Sequence, residues 1–317
     1  MIVTKLIQAD QRKEFFYLAE NFLRPAEKYF CALMEKIQKN ENTVFVLAQK
    51  EFPSCKINLL GVFSYTRGKN FSAYFPVYTK KADCALVKFF KTHEIFCLSG
   101  EKSNVEHIEK LYLRAKNFVP QEERPMFLME YFDSKTEIKA EVKNQPNLKK
   151  SESVQTEVDQ TADEKKFSEK TKNFPQIVQC ASSDEEAIFP LHLEYCKTEV
   201  LPYWKNLNLA AERLFLEQNL KTQYIAGIFD DSHKNLLAKA QTNAESSATV
   251  QIGGVFTQKF CRKNGYACAL VNHIAQKFKS QGKNVVLFVR KNNLEALHSY
   301  ENAGFKYLGD YKLDYYL

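Results

Sequence analysis

Nowhere does the chain run to the ~18 consecutive apolar residues that a membrane-crossing helix needs. Its opening, MIVTKLIQAD, lacks the layout of a secretory signal. A soluble, cytoplasmic protein is expected. Cys-x-x-Cys pairs are absent although there are eight cysteines, and no cluster of histidines accompanies them. That removes the usual zinc spacings, so no metal is expected. Reduced thiols suit this compartment better than disulfides. Long basic runs are missing as well. The net charge of +7 comes from residues interleaved with acids, which disfavours nucleic acid while allowing an anionic ligand.

What is present divides the chain in three. Residues 1–132 alternate helical and strand periodicities: a strand at 2–7, two helices, strands at 44–49, 57–66 and 73–78, then helix, strand, helix and a strand at 126–132. Residues 133–173 are rich in Lys, Glu, Ser, Thr and Gln and nearly free of aromatics, the composition of a flexible mixed-charge linker. Residues 174–317 return to alternating patterns: strand, two helices, three strands, helix, strand, helix, and two strands over 306–317. Pro190 is expected at or near the first turn of the first of those helices.

The most informative stretch is Ala248 to Ala275. Val250, Ile252 and Phe256 alternate as in a strand, which Gly253-Gly254 interrupt. Glycine inside a strand marks a bulge or a close approach. A basic loop follows, with Lys259, Arg262 and Lys263. Ala267, Leu270, Val271, Ile274, Ala275 and Phe278 then mark one face of a helix. Gly265 and Ala267 are small residues at its start, where unpaired N–H groups and the helix dipole favour a phosphate. The competing possibility is an ordinary strand–loop–helix joint. Cys261 and Cys268 flank the loop, and a thiol at an apolar helix position generally packs.

Arg262-Lys263-Asn264-Gly265-Tyr266-Ala267 resembles the (Arg/Gln)-x-x-Gly-x-(Gly/Ala) signature of the GNAT N-acetyltransferases. Val255-Phe256-Thr257 stands where that family often ends its fourth strand. Leu287-Phe288-Val289, Asn293, Ala296, Tyr300 and Gly304-Phe305 resemble its following strand, helix and turn. The resemblance implies an α/β fold with a mixed central sheet flanked by helices, the acyl-CoA N-acyltransferase fold. The first half echoes the same order of elements. It lacks the signature, since Thr79-Lys80-Lys81-Ala82-Asp83 has no glycine, so a degenerate tandem copy is expected, with an unrelated α/β domain as the alternative.

The resemblance further implies acetyl-CoA as co-substrate, transferred to an unidentified amine by direct attack, with no metal. Val255 and Thr257 would pair with the pantetheine arm, and the Val255 N–H would polarise the thioester. Arg262, Lys263, Asn264, Gly265, Tyr266 and Ala267 would hold the diphosphate, and Asn293 would lie near the pantetheine. Leu297 replaces a second asparagine frequent in the family. Tyr300 stands in the place of the family's acid. The strand glutamate many members use as base is Gln251 here. Glu199 and Glu194 are the alternatives, as is deprotonation through water, with Glu199 preferred beside Tyr203 and Trp204. His298 falls two residues from Tyr300 and is expected to face elsewhere. A non-catalytic acyl-CoA sensor or adaptor is the alternative function, and a monomer or homodimer the expected assembly.

Overall fold

A computed structural model describes residues 2–51, 53, 54, 56–132 and 175–317. The linker expected at 133–173 lies outside them. The first half runs β1 (Ile2–Gln8), α1 (Glu14–Leu23), α2 (Cys31–Gln38), β2 (Val44–Glu51), β3 (Ile57–Tyr65), β4 (Asn70–Tyr74), α3 (Lys80–Thr92), β5 (Cys97–Glu101), α4 (Lys102–Lys116) and β6 (Glu122–Tyr131). The second half repeats that order: β7 (Ile177–Gln179), α5 (Glu185–Tyr195), α6 (Leu209–Thr222), β8 (Ile225–Phe229), β9 (Leu236–Glu245), β10 (Thr249–Thr257), α7 (Tyr266–Lys279), β11 (Asn284–Arg290), α8 (Leu294–Asn302) and β12 (Phe305–Tyr315).

Amphipathic periodicity places the helices on both faces of the sheet. Phe15, Phe16, Ala19 and Leu23 of α1 join Leu33, Met34 and Ile37 of α2 in one core. Leu86, Phe89 and Phe90 of α3 meet Val105, Ile108 and Tyr112 of α4 in another. In the second half Leu270, Val271, Ile274 and Phe278 of α7 close on Val250, Val285 and Leu287. Ile188 and Leu191 of α5 pack with Leu216 and Leu220 of α6.

The strands form one mixed sheet in the order β1-β2-β3-β4-β5-β12-β6-β11-β10-β9-β8-β7. The centre of that order is an exchange. The last strand of the second half, β12, pairs antiparallel with β5 of the first. The last strand of the first half, β6, pairs antiparallel with β11 of the second. The two exchanged strands then pair with each other, Phe305 opposite Tyr131 through Tyr315 opposite Glu122. Each half therefore completes its sheet with a strand of the other.

Two local expectations change. Residues 306–317 make one strand instead of two: the glycine at 309 serves a register shift between Tyr307 and Gly309, not a reversal. A Cβ there would run into the Tyr29 ring. Pro190 lies inside α5, beyond its first turn. That helix ends in one π turn, Cys196–Val200, a geometry that often marks functional sites.

Helices cross between the halves as the strands do. The Cys31 thiol at the start of α2 donates to the carbonyls of Ala244 and Thr249, at 3.6 and 3.3 Å, on the β9–β10 hairpin. In return, the 199–201 segment of the second half rests on β6. Arg124 donates to the carbonyls of Glu199, Val200 and Leu201 at 3.0, 2.8 and 2.9 Å.

Candidate functional site

The site begins where two parallel strands part. β10 and β11 pair only from Thr249 opposite Asn284 to Ile252 opposite Leu287. Beyond Ile252 both strands continue without pairing to each other, which opens a V-shaped gap. The cause is the Gly253-Gly254 pair. Gly254 takes φ +57°, and the register against β9 shifts between Gly253 and Phe256. Asn243 fills the space where a Gly253 Cβ would stand, and Gln241 does so at Gly254. A bulge of this kind bends the strand and leaves residues without partners across the ladder.

Lys239 supports the bulge from beneath. Its side chain is fully buried, and its ammonium donates to the Gly254 carbonyl at 3.1 Å and to Gln241 Oε1 at 3.0 Å. Burial lowers its pKa to about 8. The same ammonium lies 4.8 Å from the Tyr195 ring centroid.

The loop after β10 leads to an open helix start. Gly265 is the N-cap of α7, with φ +77° and no side-chain cap, so the first N–H groups of α7 have no side-chain acceptor at this end. Arg262 folds back, its Nε donating to the Thr257 carbonyl at 3.3 Å. Lys263 is exposed in the left-handed region at φ +66°. Asn264 spends its amide on the Cys261 carbonyl at 3.1 Å.

A cleft of about 790 Å³ joins these features. Val255, Thr257, Arg262, Lys263, Gly265, Tyr266, Ala267, Asn293, Glu199 and Tyr300 all line it. Of the sequence-predicted residues, Asn264 and Glu194 are not in its wall. Asn293 caps α8, its Oδ1 accepting from the Ala296 N–H at 3.1 Å, which leaves the amide nitrogen for a ligand.

Tyr300 is 7% exposed on the inner side of α8. Burial, with Tyr195 and Glu199 nearby, holds its phenol above the ordinary tyrosine range. It is an acid at neutral pH. Glu199 lines the cleft from the π turn, with its carboxylate 3.8 Å from the Arg290 guanidinium. Arg290 also donates to the Glu199 carbonyl at 2.5 Å. Glu194 is exposed and outside the cleft. His298 is exposed too but does line the cleft, at its rim.

Several site residues were not visible in the sequence. Tyr195, whose hydroxyl burial pushes up to about 12, lies beside Phe256 at 5.9 Å between ring centroids. Arg124 and Arg290 fix the π turn from β6 and β11. One signal existed: Tyr195 and Glu199 are four apart, one face of a helix, in a segment already singled out. A trio of His192, Cys196 and Glu212 also converges between α5 and α6. The Cys196 thiol donates to Glu212 at 3.3 Å, and His192 Nε2 is 3.3 Å from the same oxygen. Burial first, then Glu212, raises the thiol pKa to about 12, so it is no nucleophile as it stands.

The matching place in the first half is filled by the protein itself. β4 and β5 pair over three residues, Asn70–Ser72 with Cys97–Ser99. Immediately beyond, the Phe75 N–H donates to Asn104 Oδ1 at 2.8 Å. The start of α3 is capped by Thr79, whose hydroxyl accepts from the Ala82 N–H at 3.2 Å. Tyr78 stacks on His107 at 3.8 Å, and His107 meets Asp83 at 2.8 Å, linking α3 to α4.

Comparison with known proteins agrees with this geometry. Residues 225–313 match the family model described as FR47-like protein. No curated protein matches the chain. Among solved structures, a GNAT-family acetyltransferase from Colwellia psychrerythraea is similar over 100% of this chain and 99% of its own, at 10% identity and a TM-score of 0.52. A tandem GNAT protein from the clavulanic acid biosynthesis pathway is similar over 100% and 98%, at 8% identity and 0.52. A GCN5-related N-acetyltransferase from Sphaerobacter thermophilus is similar over 99% and 94%, at 11% identity and 0.51. The chain thus shares the fold of tandem GNAT structures, and its second half carries the FR47-like pattern.

Proposed function

We propose that the second half transfers an acetyl group from acetyl-CoA to a primary amine, by direct attack within one ternary complex. The observation that carries this reading is the unpaired edge of β10 beyond Ile252, which leads to the uncapped start of α7 at Gly265. An extended pantetheine arm pairs with such an edge as a strand would. A diphosphate suits the N–H groups and dipole of the helix start, with Arg262 and Lys263 beside it. The bound thioester supplies an activated acyl carbon.

The remaining work falls to this chain. The Val255 N–H, aimed at the carbonyl oxygen, would stabilise the charge that develops there. Tyr300 holds its proton for the departing thiolate. Deprotonation of the amine is assigned to Glu199, acting directly or through water at the cleft. The first half, 1–132, supplies a wall of the cleft and no second cofactor site, while 174–317 carries the chemistry. The protein would work in the cytoplasm, as a monomer or homodimer.

The Arg290–Glu199 pair and Gln251 favour a second reading, an acyl-CoA sensor without turnover. Release of free thiol from acetyl-CoA over a panel of amines separates the two. Amine-dependent release is expected. Tight acetyl-CoA binding with no release for any amine would favour the sensor.

A further inference from the structure

The cleft is longer than a thioester and its pantetheine arm require, because it continues past β11 onto the sheet of the first half. The strand register lays one row of residues across that floor. Ser64 of β3 is opposite Ser72 of β4, Ser72 opposite Ser99 of β5, Ser99 opposite Leu313 of β12, and Leu313 opposite Arg124 of β6. Residues directly opposite share one face of a sheet. All five line the cleft. The next row adds Thr66 opposite the segment at Asn70, both also in the wall.

Such polarity is unusual for an enclosed sheet face, where alternation normally turns apolar residues inward. Ser64 is only 4% exposed and still lines the cleft, and Ser72 lines it one strand over. Ser99 is bonded to the Tyr311 phenol.

The charges on this side are already committed. Arg124 serves three carbonyls and meets Glu122, Arg290 faces Glu199, and Lys36 pairs with Glu41 at 3.0 Å. Among the described residues of the row itself there is no carboxylate for a second ammonium. Aromatic faces stand beside the hydroxyls, with Arg124 lying 4.6 Å from the Tyr315 ring centroid.

We infer that the serine row of the first half is the acceptor subsite, and that the acceptor is an amine carrying several hydroxyls and no second charge. Amino sugars and amino alcohols have that chemistry. This rests on the acetyl-transfer reading for the second half.

The test uses the full chain and the double variant Ser64→Ala/Ser72→Ala. Glucosamine binding is followed by saturation-transfer NMR titration, acetyl-CoA binding by calorimetry, and thiol release with glucosamine, tryptamine and cadaverine. Glucosamine should be the preferred amine. The variant should bind it about 10- to 30-fold more weakly, the loss expected for two neutral hydrogen bonds, with acetyl-CoA affinity and melting temperature unchanged. Equal glucosamine binding by wild type and variant would overturn the inference, as would faster turnover of tryptamine or cadaverine. Failure of acetyl-CoA to bind would instead strike the acetyl-transfer reading, and the row would then be judged on glucosamine binding alone.

Discussion

At Gly265 the backbone takes φ +77°, and no atom lies within 4 Å of the position a Cβ would occupy. Glycine is needed there for its conformation, since the space is open. The open space is what an approaching anion requires. Tyr300 makes a different single-residue case. Its burial keeps the phenol protonated well into the alkaline range, so an acid role should hold at pH values where an exposed tyrosine would begin to ionise. Tyr300→Phe should lower turnover by roughly 100-fold with little change in acetyl-CoA affinity. Steady-state kinetics from pH 6 to 10 checks this. The wild-type rate should show no alkaline fall below about pH 10 from this group. An unchanged rate in the variant would remove Tyr300 from the mechanism.

At the scale of elements, β12 carries a buried polar knot. Lys312 reaches Glu109, Glu123 and Asp314 at 2.8, 2.9 and 3.0 Å, and Asp314 is 0% exposed. Burial first, then the neighbouring Glu109, raises the Asp314 pKa well above the usual carboxylate range. A raised carboxyl pKa means that the folded state keeps a proton the unfolded state has lost. Stability from this group is therefore present at low pH and declines as pH rises from about 4 through the raised value. Asp314→Asn should flatten that decline, leaving Lys312 two carboxylate partners. Melting curves at pH 5 and pH 8 should show the variant gaining about 2–4 °C on wild type at pH 8 relative to pH 5. A gap that does not change with pH would contradict the assignment.

Elements also mark how far the sequence could be read. The β10–loop–α7 unit was legible because its signals are local: two alternation patterns joined by a loop whose glycine has a backbone task. The π turn was not. Arg124 is 75 residues from Glu199, and no local pattern links a strand arginine to three distant carbonyls. Pro190 lies exposed inside α5, where no local pattern signals that a helix continues past a proline. Glu199 was legible as a candidate, whereas its ion pair with Arg290 was not.

The whole molecule is organised by the exchange at its centre. Repeated element order betrayed the tandem fold, but no residue of β6 or β12 states whose sheet it completes. Alternating apolar residues fit either neighbour. The consequence is that the halves are interdependent: without β6, β11 has a bare edge, and without β5 so does β12. Residues 174–317 expressed alone should aggregate or self-associate, while 1–132 and 174–317 produced together should purify as one 1:1 complex. Size-exclusion chromatography with light scattering distinguishes these. A well-folded monomer of 174–317 would show that the exchanged strand is dispensable.

The two halves share a fold and differ in who fills the slot between the fourth and fifth strands. In the first, Asn104 and Thr79 satisfy the backbone donors from within, whereas in the second Gly265 leaves them open. Calorimetric titration of the full chain with acetyl-CoA measures that difference directly. One molecule should bind per chain, and Gly265→Val should weaken it at least 10-fold through the strain of a β-branched residue at positive φ. Two sites per chain, or no binding at all, would contradict the account.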